Sequence, residues 1–381
     1  MRVTGVETFL IHPGRGKNLL MVKVSTDEGI HGWGECYTQS DRDQSVEWTV
    51  HQMARYLVGR DPFAIKHFTY VMYTDFLGKR GSTETYCAIS GLEHALWDIA
   101  GKAAGQPVYN LLGGQCREKI RVYANGWSEG IKEPHALAAR ALEVLEMGFT
   151  ALKWDPYPSP WREYIDKDQE RAAIESVRVM RETVGPEVDL LIETHRRLAP
   201  MHAVRVANAI AEYRPFWFEE PVSARNLDAL AEVRSKISIP VMTGEELYTK
   251  TEFRDVFEKR AADINPDVCN VGGILELKEI AAMAEPSLVV VSPHNYNSTM
   301  IGLAATCQVS AVMPNFLITE YFVNFEEMGK RIAKPPLLQQ GSYVPLPTTP
   351  GLGIELDEDA LRAHAYQQFK TRNIRHPADE A

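Results

Sequence analysis

From about residue 120 the chain repeats one pattern eight times, a short β-rich run followed by an amphipathic helical stretch. The runs are IRVYANG (120–126), TALKWD (150–155), DLLIETH (189–195), FWFEE (216–220), IPVMTGEE (239–246), ADINPD (262–267), LVVVSPH (288–294) and FLITE (316–320). Stretches such as HALAARALEVLEMG, QERAAIESVRVMRETVG and ILELKEIAAMA separate them. Strands joined through helical crossovers run parallel. Eight such units are the number that closes a (β/α)8 barrel of the TIM type, for which about 200 residues is the short end. A doubly wound open sheet is the alternative, but no Gly-rich phosphate fingerprint follows any of these strands. The barrel is the reading adopted.

Residues 1–118 have a different texture. Alternating runs, VTGVETFLI and LLMVKVSTDEGIHGWGE, are broken by the turn signal Asp27-Glu28-Gly29 and predict an antiparallel hairpin or meander. Helical patterns follow in SVEWTVHQMARYLVG, PFAIKHFTYVMYTDFL and TYCAISGLEHALWDIAGKAAG. The last puts Ile89, Leu92, Leu96 and Ile99 on one stripe and stops at Gly105. Strands first and helices after make an α+β unit. The expected division is an α+β capping domain at 1–118, the barrel at 119–340, and a C-terminal segment at 341–381 that returns to the cap.

Composition excludes several classes of function. Lys plus Arg number 41 against 51 Asp plus Glu, a net charge of −10 with no basic tract, so nucleic acid and anionic membranes are poor partners. An anionic ligand would need local positive charge, from a metal or a few side chains. The five cysteines (Cys36, Cys87, Cys116, Cys269, Cys307) are odd in number and widely spaced, as expected of reduced intracellular thiols. The first residues read as a strand and a turn, without the apolar run of a signal peptide, and no stretch of about 18 apolar residues offers a membrane span. The expectation is a cytoplasmic protein, in which the sequon at Asn297 has no secretory route.

The ionisable residues of the eight runs sit at their C-terminal ends. Lys153 and Asp155 end the second, Glu193 and His195 the third, Glu219 the fourth and Glu245 the fifth. Asp267, His294 and Glu320 end the sixth, seventh and eighth. In a parallel barrel these ends converge on one mouth, where barrel enzymes place their chemistry. Any one of them could be a chance polar residue. Seven strands in succession could not, because clustered like charges without a ligand cost stability. Glu193, Glu219 and Glu245 fall 26 residues apart, twice. Three converging carboxylates with no Cys among them suit a hard cation, Mg2+ foremost; a set of salt bridges to Arg or Lys is the plainer alternative. Glu220 and Glu246 are ambiguous by one position, and strand alternation favours the first member of each pair.

With these residues in view, the chain resembles the enolase superfamily, in its mandelate racemase-like subgroup. The likeness runs through GWGE (32–35), ALWDIAGK (95–102), LLGG (111–114), WFEEP (217–221), TGEE (243–246), NPD-x-x-N-x-GG (265–273), SPH (292–294) and PGLGIE (350–355). It implies a capped barrel, Mg2+ on Glu193, Glu219 and Glu245, and abstraction of a proton next to a carboxylate. It further implies a His294–Asp267 dyad as base and Glu320 as a contact to the substrate carboxylate. Glu193 stands where the family more often has Asp. Read one by one, His294 alone is more often a structural histidine, and Glu320 alone could be a rim salt bridge.

Abstraction next to a carboxylate creates a doubly charged enediolate, so a cation and a cationic neighbour must stand where that charge develops; Lys153 is placed to be the neighbour. Many members carry K-x-K on the second strand, the second lysine acting as a base. Here the stretch is Lys153-Trp154-Asp155, which argues against a two-base racemase. Glu193-Thr194-His195 instead puts a histidine two residues past a ligand, on the same face of a strand. This pattern, with THRRLAPM (194–201), is similar to the galactonate- and mannonate-type acid-sugar dehydratases, in which that histidine is the acid for the departing hydroxyl. The expected function is therefore a Mg2+-dependent dehydratase giving a 2-keto-3-deoxy sugar acid, with an epimerase, racemase or cycloisomerase on the same scaffold as alternative. A sugar-acid carboxylate is the expected partner, in a homo-oligomer of two to eight chains. Trp127, Trp154, Tyr157 and Trp161 follow strand ends and are candidate pocket walls, or merely packed. Arg196 and Arg197 either touch substrate or pair with acidic neighbours. The loop HPGRGKN (12–18) is a candidate lid carrying Arg15 to the substrate.

Overall fold

The computed structural model describes residues 1–39, 41–77, 81–157, 162–296, 300–370 and 376–380. Alternation in the first segment produces β1 (Val3–Ile11), β2 (Leu19–Thr26) and β3 (His31–Cys36), an antiparallel sheet in that order. The expected turn closes with Thr26 N–H donating to the Ile30 carbonyl at 3.0 Å. Helices Asp43–Leu57 and Thr83–Ala104 cover the sheet, the second ending on Gly105 in the left-handed region at φ 65°. Its stripe of Ile89, Leu92, Leu96 and Ile99 is buried as the spacing predicts. The glycines of GWGE have a packing cause: a Cβ on Gly34 would stand 1.8 Å from the Gly91 carbonyl oxygen. Only glycine lets β3 lie backbone to backbone on that helix. The helical pattern at 62–77 splits into an α-helix, Ile65–Val71, and a π-helical turn, Met72–Leu77.

The barrel strands are β4 (Lys119–Asn125), β5 (Ala151–Trp154), β6 (Asp189–Glu193), β7 (Trp217–Glu219), β8 (Val241–Thr243) and β9 (Asp263–Ile264). They pair in parallel and in sequence order, and β10 (Thr319–Phe322) pairs with β4 from the other side. The seventh expected strand, 288–294, forms no ladder. Single bridges Ile264↔Val291 and Val291↔Phe316 close the ring there, with a further bridge Asp267↔His294. Leu288 at φ 56° bends the start of this segment, and Pro293 lacks a donor near its end. Inside the ring, Tyr123, Ala151, Leu191, Trp217, Met242 and Ile318 pack as one apolar layer. Two residues on, the same inward rows continue as Asn125, Lys153, Glu193, Glu219 and Glu320. The period of two thus sets a layer of charge directly on the apolar one.

The C-terminal segment divides its contacts. β12 (Tyr343–Pro345) runs antiparallel to β4, and β11 (Ala333–Lys334) pairs with β13 (Glu355–Leu356). Contact with the N-terminal sheet starts at β13, where Glu355 accepts from Trp33 Nε1 at 3.0 Å, and continues through Lys23–Glu358 at 2.5 Å and Arg362–Glu7 at 3.3 Å. The helix Thr83–Ala104 also staples the cap to the barrel. Glu93 accepts from Ile274 N–H and Leu275 N–H at 2.8 and 2.9 Å, at the start of helix Ile274–Ala284. Asp98 accepts from Trp33 N–H at 2.9 Å and Leu352 N–H at 2.8 Å, and Glu35 from Gly302 N–H at 2.8 Å. Among the described residues no helix is long and apolar enough to cross a membrane.

Candidate active site

Glu193 and Glu219 are register partners on β6 and β7, so their side chains leave adjacent strands on the same level. Glu245 arrives differently. Alternation from Met242 would turn residue 244 inward, but that residue is Gly244 at φ 141°, and the chain swings so that Glu245 enters instead. One ligand oxygen from each of the three lies within 4.8 Å of the others. Burial and the neighbouring Glu193 hold the Glu219 carboxyl well above the usual carboxylate range, with Lys153 pulling the other way. Glu245 is buried too, yet Arg196 and His294 hold it well below that range. An all-oxygen donor set in which one member resists ionisation is the chemistry a divalent cation relieves, so these residues fit Mg2+. The ambiguous neighbours face away: Glu220 accepts from Thr243 Oγ1 at 2.8 Å and Gly244 N–H at 2.9 Å, and Glu246 meets Arg196 at 3.3 Å and Ser223 at 3.2 Å.

Lys153 stands among carboxylates, 2.8 Å from Glu219, 3.1 Å from Glu320 and 3.4 Å from Glu193. Burial would lower its pKa, but Glu219, Glu320 and Glu193 outweigh burial and keep the ammonium charged. Glu320 lies in the same charged layer, 3.1 Å from Lys153 and 3.6 Å from His294. Its oxygens accept from Lys153, from Asn125 Nδ2 at 2.5 Å and from Asn295 N–H at 2.9 Å.

His294 Nδ1 meets Asp267 Oδ2 at 2.7 Å, while Nε2 is 3.0 Å from Glu245 and 3.6 Å from Glu320. Asp267 is itself held by Cys269 N–H at 2.8 Å. Burial opposes the imidazolium, but Glu320, Glu245 and Asp267 together push the pKa well above its ordinary value.

His195 reaches the same cavity by an unexpected backbone. β6 ends at Glu193, and His195 and Arg196 take left-handed conformations at φ 51° and 54°, so strand alternation is not what aims the ring. The turn is tied by His195 N–H donating to Glu193 Oε1 at 2.6 Å. Left-handed non-glycine residues carry strain that a functional site can hold. The imidazole Nδ1 meets Asp155 Oδ2 at 2.9 Å. Burial lowers the His195 pKa and Glu193 with Asp155 more than restores it, so the net shift is upward. Asp155, at the position of the missing lysine, is therefore the carboxylate that orients a second histidine.

These residues line a cavity of about 550 Å3 between barrel mouth and cap. Lys153, Trp154, Asp155, Glu193, His195, Glu245, His294 and Arg15 all border it. Two expected contacts do not: Arg197 and Tyr157 are buried behind the wall, with the Arg197 guanidinium on Asp155 and 5.4 Å from the Tyr157 ring centre. Of Arg196 and Arg197, it is Arg196 that faces the cavity, where it pairs with Glu245 and Glu246. Trp127 turns inward to bond the Lys153 carbonyl at 3.0 Å, and Trp161 and the sequon at Asn297 lie outside the described residues. Arg15 is exposed and donates to Asn324 Oδ1 at 3.2 Å. Sequence reasoning missed Lys17, Tyr37, Asn125 and Tyr296, all on the cavity wall; for Asn125 the inward row of β4 carried the signal.

A capped (β/α)8 barrel with three carboxylates and two imidazole–carboxylate pairs at its mouth defines a class of enzyme scaffold. The family models agree: residues 11–113 match the mandelate racemase / muconate lactonizing enzyme N-terminal domain, and residues 136–360 match the enolase C-terminal domain-like family. The chain belongs to the mandelate racemase / muconate lactonizing enzyme family of the enolase superfamily. It is 36% identical over 349 residues to a D-gluconate dehydratase of Thermoproteus tenax, covering 91% of this chain and 69% of that one. A D-galactonate dehydratase of Variovorax paradoxus is 33% identical over 372 residues, 95% of this chain and 94% of the relative. Among solved structures, a mandelate racemase/muconate lactonizing enzyme-like protein from Rubrobacter xylanophilus is 35% identical with a TM-score of 0.87, covering 95% of this chain and 97% of that one.

Proposed function

We propose that the protein is a Mg2+-dependent hydro-lyase that removes water from an acid sugar to give a 2-keto-3-deoxy acid. The observation that carries this reading is His195 on Asp155, facing a cavity whose other histidine sits on Asp267. The two come from the third and seventh positions of the eight-unit ring, which lie across the barrel from each other. The dehydratases named above lend the substrate class. Glu193, Glu219 and Glu245 would hold the cation, which when bound neutralises charge developing on the substrate carboxylate. Lys153 adds its ammonium at the same end. His294, its Nδ1 proton fixed by Asp267, receives the proton from the carbon next to the carboxylate at Nε2. His195, its ring fixed by Asp155, gives a proton to the departing 3-hydroxyl, which leaves as water. The resulting enol takes up a proton at carbon 3 to become the keto acid.

An epimerase would need a second base where this chain has Asp155, a residue engaged by His195 and Arg197. Incubating the purified protein with Mg2+ and a panel of six- and five-carbon acid sugars, with detection of 2-keto acid, tests the proposal. Conversion of at least one member is expected. Exchange of the alpha proton with solvent and no keto acid from any member would replace dehydration with epimerisation.

A further inference from the structure

Among the described residues, Lys153 and Arg196 at the cavity are neutralised by protein carboxylates. Lys153 has three and Arg196 two. Lys17 differs: on the cap loop between β1 and β2, it is only 6% exposed and yet has no carboxylate within ion-pair distance among the described residues. Its ammonium donates to the Thr38 carbonyl and stands 3.9 Å from the Tyr37 ring centre and 5.1 Å from that of Tyr296. Those rings in turn stack toward His294, at centroid distances of 6.3 and 6.0 Å. A lysine ammonium has three donors, and one carbonyl uses one of them. Cation–π contact offsets part of the desolvation but satisfies no N–H. Burying a charge with donors unmet is costly unless something else meets them.

We propose that Lys17 is a substrate-recognition residue, whose ammonium binds hydroxyl oxygens of the sugar acid at the end remote from its carboxylate. The carboxylate end belongs at the barrel floor, with Lys153 and the carboxylate triad, so a chain of hydroxylated carbons standing up from the floor runs toward the cap. Lys17 meets it there, on the His294 side. Hydroxyls rather than a second anion fit the site. The two rings already soften the charge, and burial brings the Lys17 pKa down to about 8 against the pull of Asp267 and Glu35, so neutral acceptors suffice. Arg15, the more conspicuous cation of the same loop, is exposed and bonded to Asn324. The inference rests on the acid-sugar reading above, and its test separates the two.

Lys17→Met keeps the length and apolar bulk of the side chain and removes the charge; Lys17→Arg keeps the charge. Binding of gluconate and galactonate with Mg2+ present is measured by calorimetry, alongside turnover of these acids and of glycerate. Glycerate has the carboxylate, the alpha proton and the 3-hydroxyl, but no carbons beyond. Lys17→Met should weaken binding of the six-carbon acids and lower their kcat/KM by about 10- to 100-fold, a loss expected of one charge-assisted bond of about 1.5–3 kcal/mol. Glycerate turnover should be unchanged, and Lys17→Arg should recover part of the loss. Equal losses on glycerate and the six-carbon acids, or no loss on either, overturn the role of Lys17. Lys17-dependent binding with no water loss from any acid overturns the dehydratase reading and leaves Lys17 as a ligand contact.

Discussion

The two imidazole–carboxylate pairs differ in depth and in how the chain builds them. Asp267 and His294 face each other across a strand-like bridge, and the His294 side chain is 4% exposed. Asp155 and His195 meet through a left-handed turn, and the His195 side chain is 31% exposed. In each pair Nδ1 is held by an aspartate, so in the proposed mechanism Nε2 is the atom that takes or gives the proton. The difference is one of surroundings. His294 Nε2 looks down on Glu245 and Glu320 beside the carboxylate triad, where the substrate carboxylate and its alpha carbon would sit. His195 stands nearer the open side of the cavity, where a departing hydroxyl can leave as water. A base needs a dry, fixed setting at the acidic carbon; an acid needs reach and a way out for the product.

The largest expected effect removes what both pairs share. Glu219→Gln, after chelation and reloading, should lose Mg2+ affinity by more than the roughly 10- to 100-fold typical of losing a supporting residue. Alpha-proton exchange and water loss should disappear together, and metal analysis with calorimetry reads the first claim. Undiminished affinity would remove the triad as the metal site. Next in size, His294→Asn should cut exchange of the alpha proton with deuterated solvent by about 10²–10⁴-fold. Exchange at the wild-type rate would break the comparison by moving the base to the other pair.

Asp267→Asn and Asp155→Asn sharpen it. The first should slow exchange strongly. The second should leave exchange intact and slow water loss toward the lower end of that range, about 10²-fold. Matching effects on both steps from either variant would show that the pairs do not divide the labour. The smallest effect is expected at Arg197, which touches no cavity surface but holds Asp155 from behind. Arg197→Gln should slow water loss about tenfold, a barrier change of about 1.4 kcal/mol, with exchange unaffected. Loss of exchange as well would mark the variant as a folding defect.

Some of this contrast was legible in the chain and some was not. Charge at the ends of successive β-rich runs, together with the period of two, located Lys153, Glu193, Glu219 and Glu320 in one layer, because a strand leaves no other choice of face. The pairing of Asp267 with His294 came from the family likeness and is present as a contact. His195 reached the cavity for a reason other than the one its spacing offered, since the strand ends two residues earlier and a turn aims the ring. Glu245 likewise shares the 26-residue spacing but enters through a kink at Gly244. Periodicity describes strands, and these residues lie just past them. The partner of Asp155 and the burial of Lys17 beside an exposed Arg15 on one loop were illegible for a related reason. Loop side chains are placed by long-range contacts, here Thr38, Tyr37 and Tyr296, that local pattern does not encode. Conversely, GWGE, ALWDIAGK and PGLGIE, which carry much of the family likeness, turn out to pack the cap on itself at Gly34 and to join it to the rest of the chain, Glu35 accepting from Gly302 N–H and Asp98 from Leu352 N–H.

The division of labour between the two histidines is tested most directly by His195→Asn on two substrates that differ only in the leaving group. On a 3-hydroxy acid sugar the variant should lose water about 10²–10⁴-fold more slowly than the native protein, while alpha-proton exchange persists. On the 3-fluoro analogue, whose fluoride departs without a proton, most of that loss should be recovered. Equal impairment on both substrates, or disappearance of exchange along with elimination, would contradict the assignment of His195 as the acid and of His294 as the independent base.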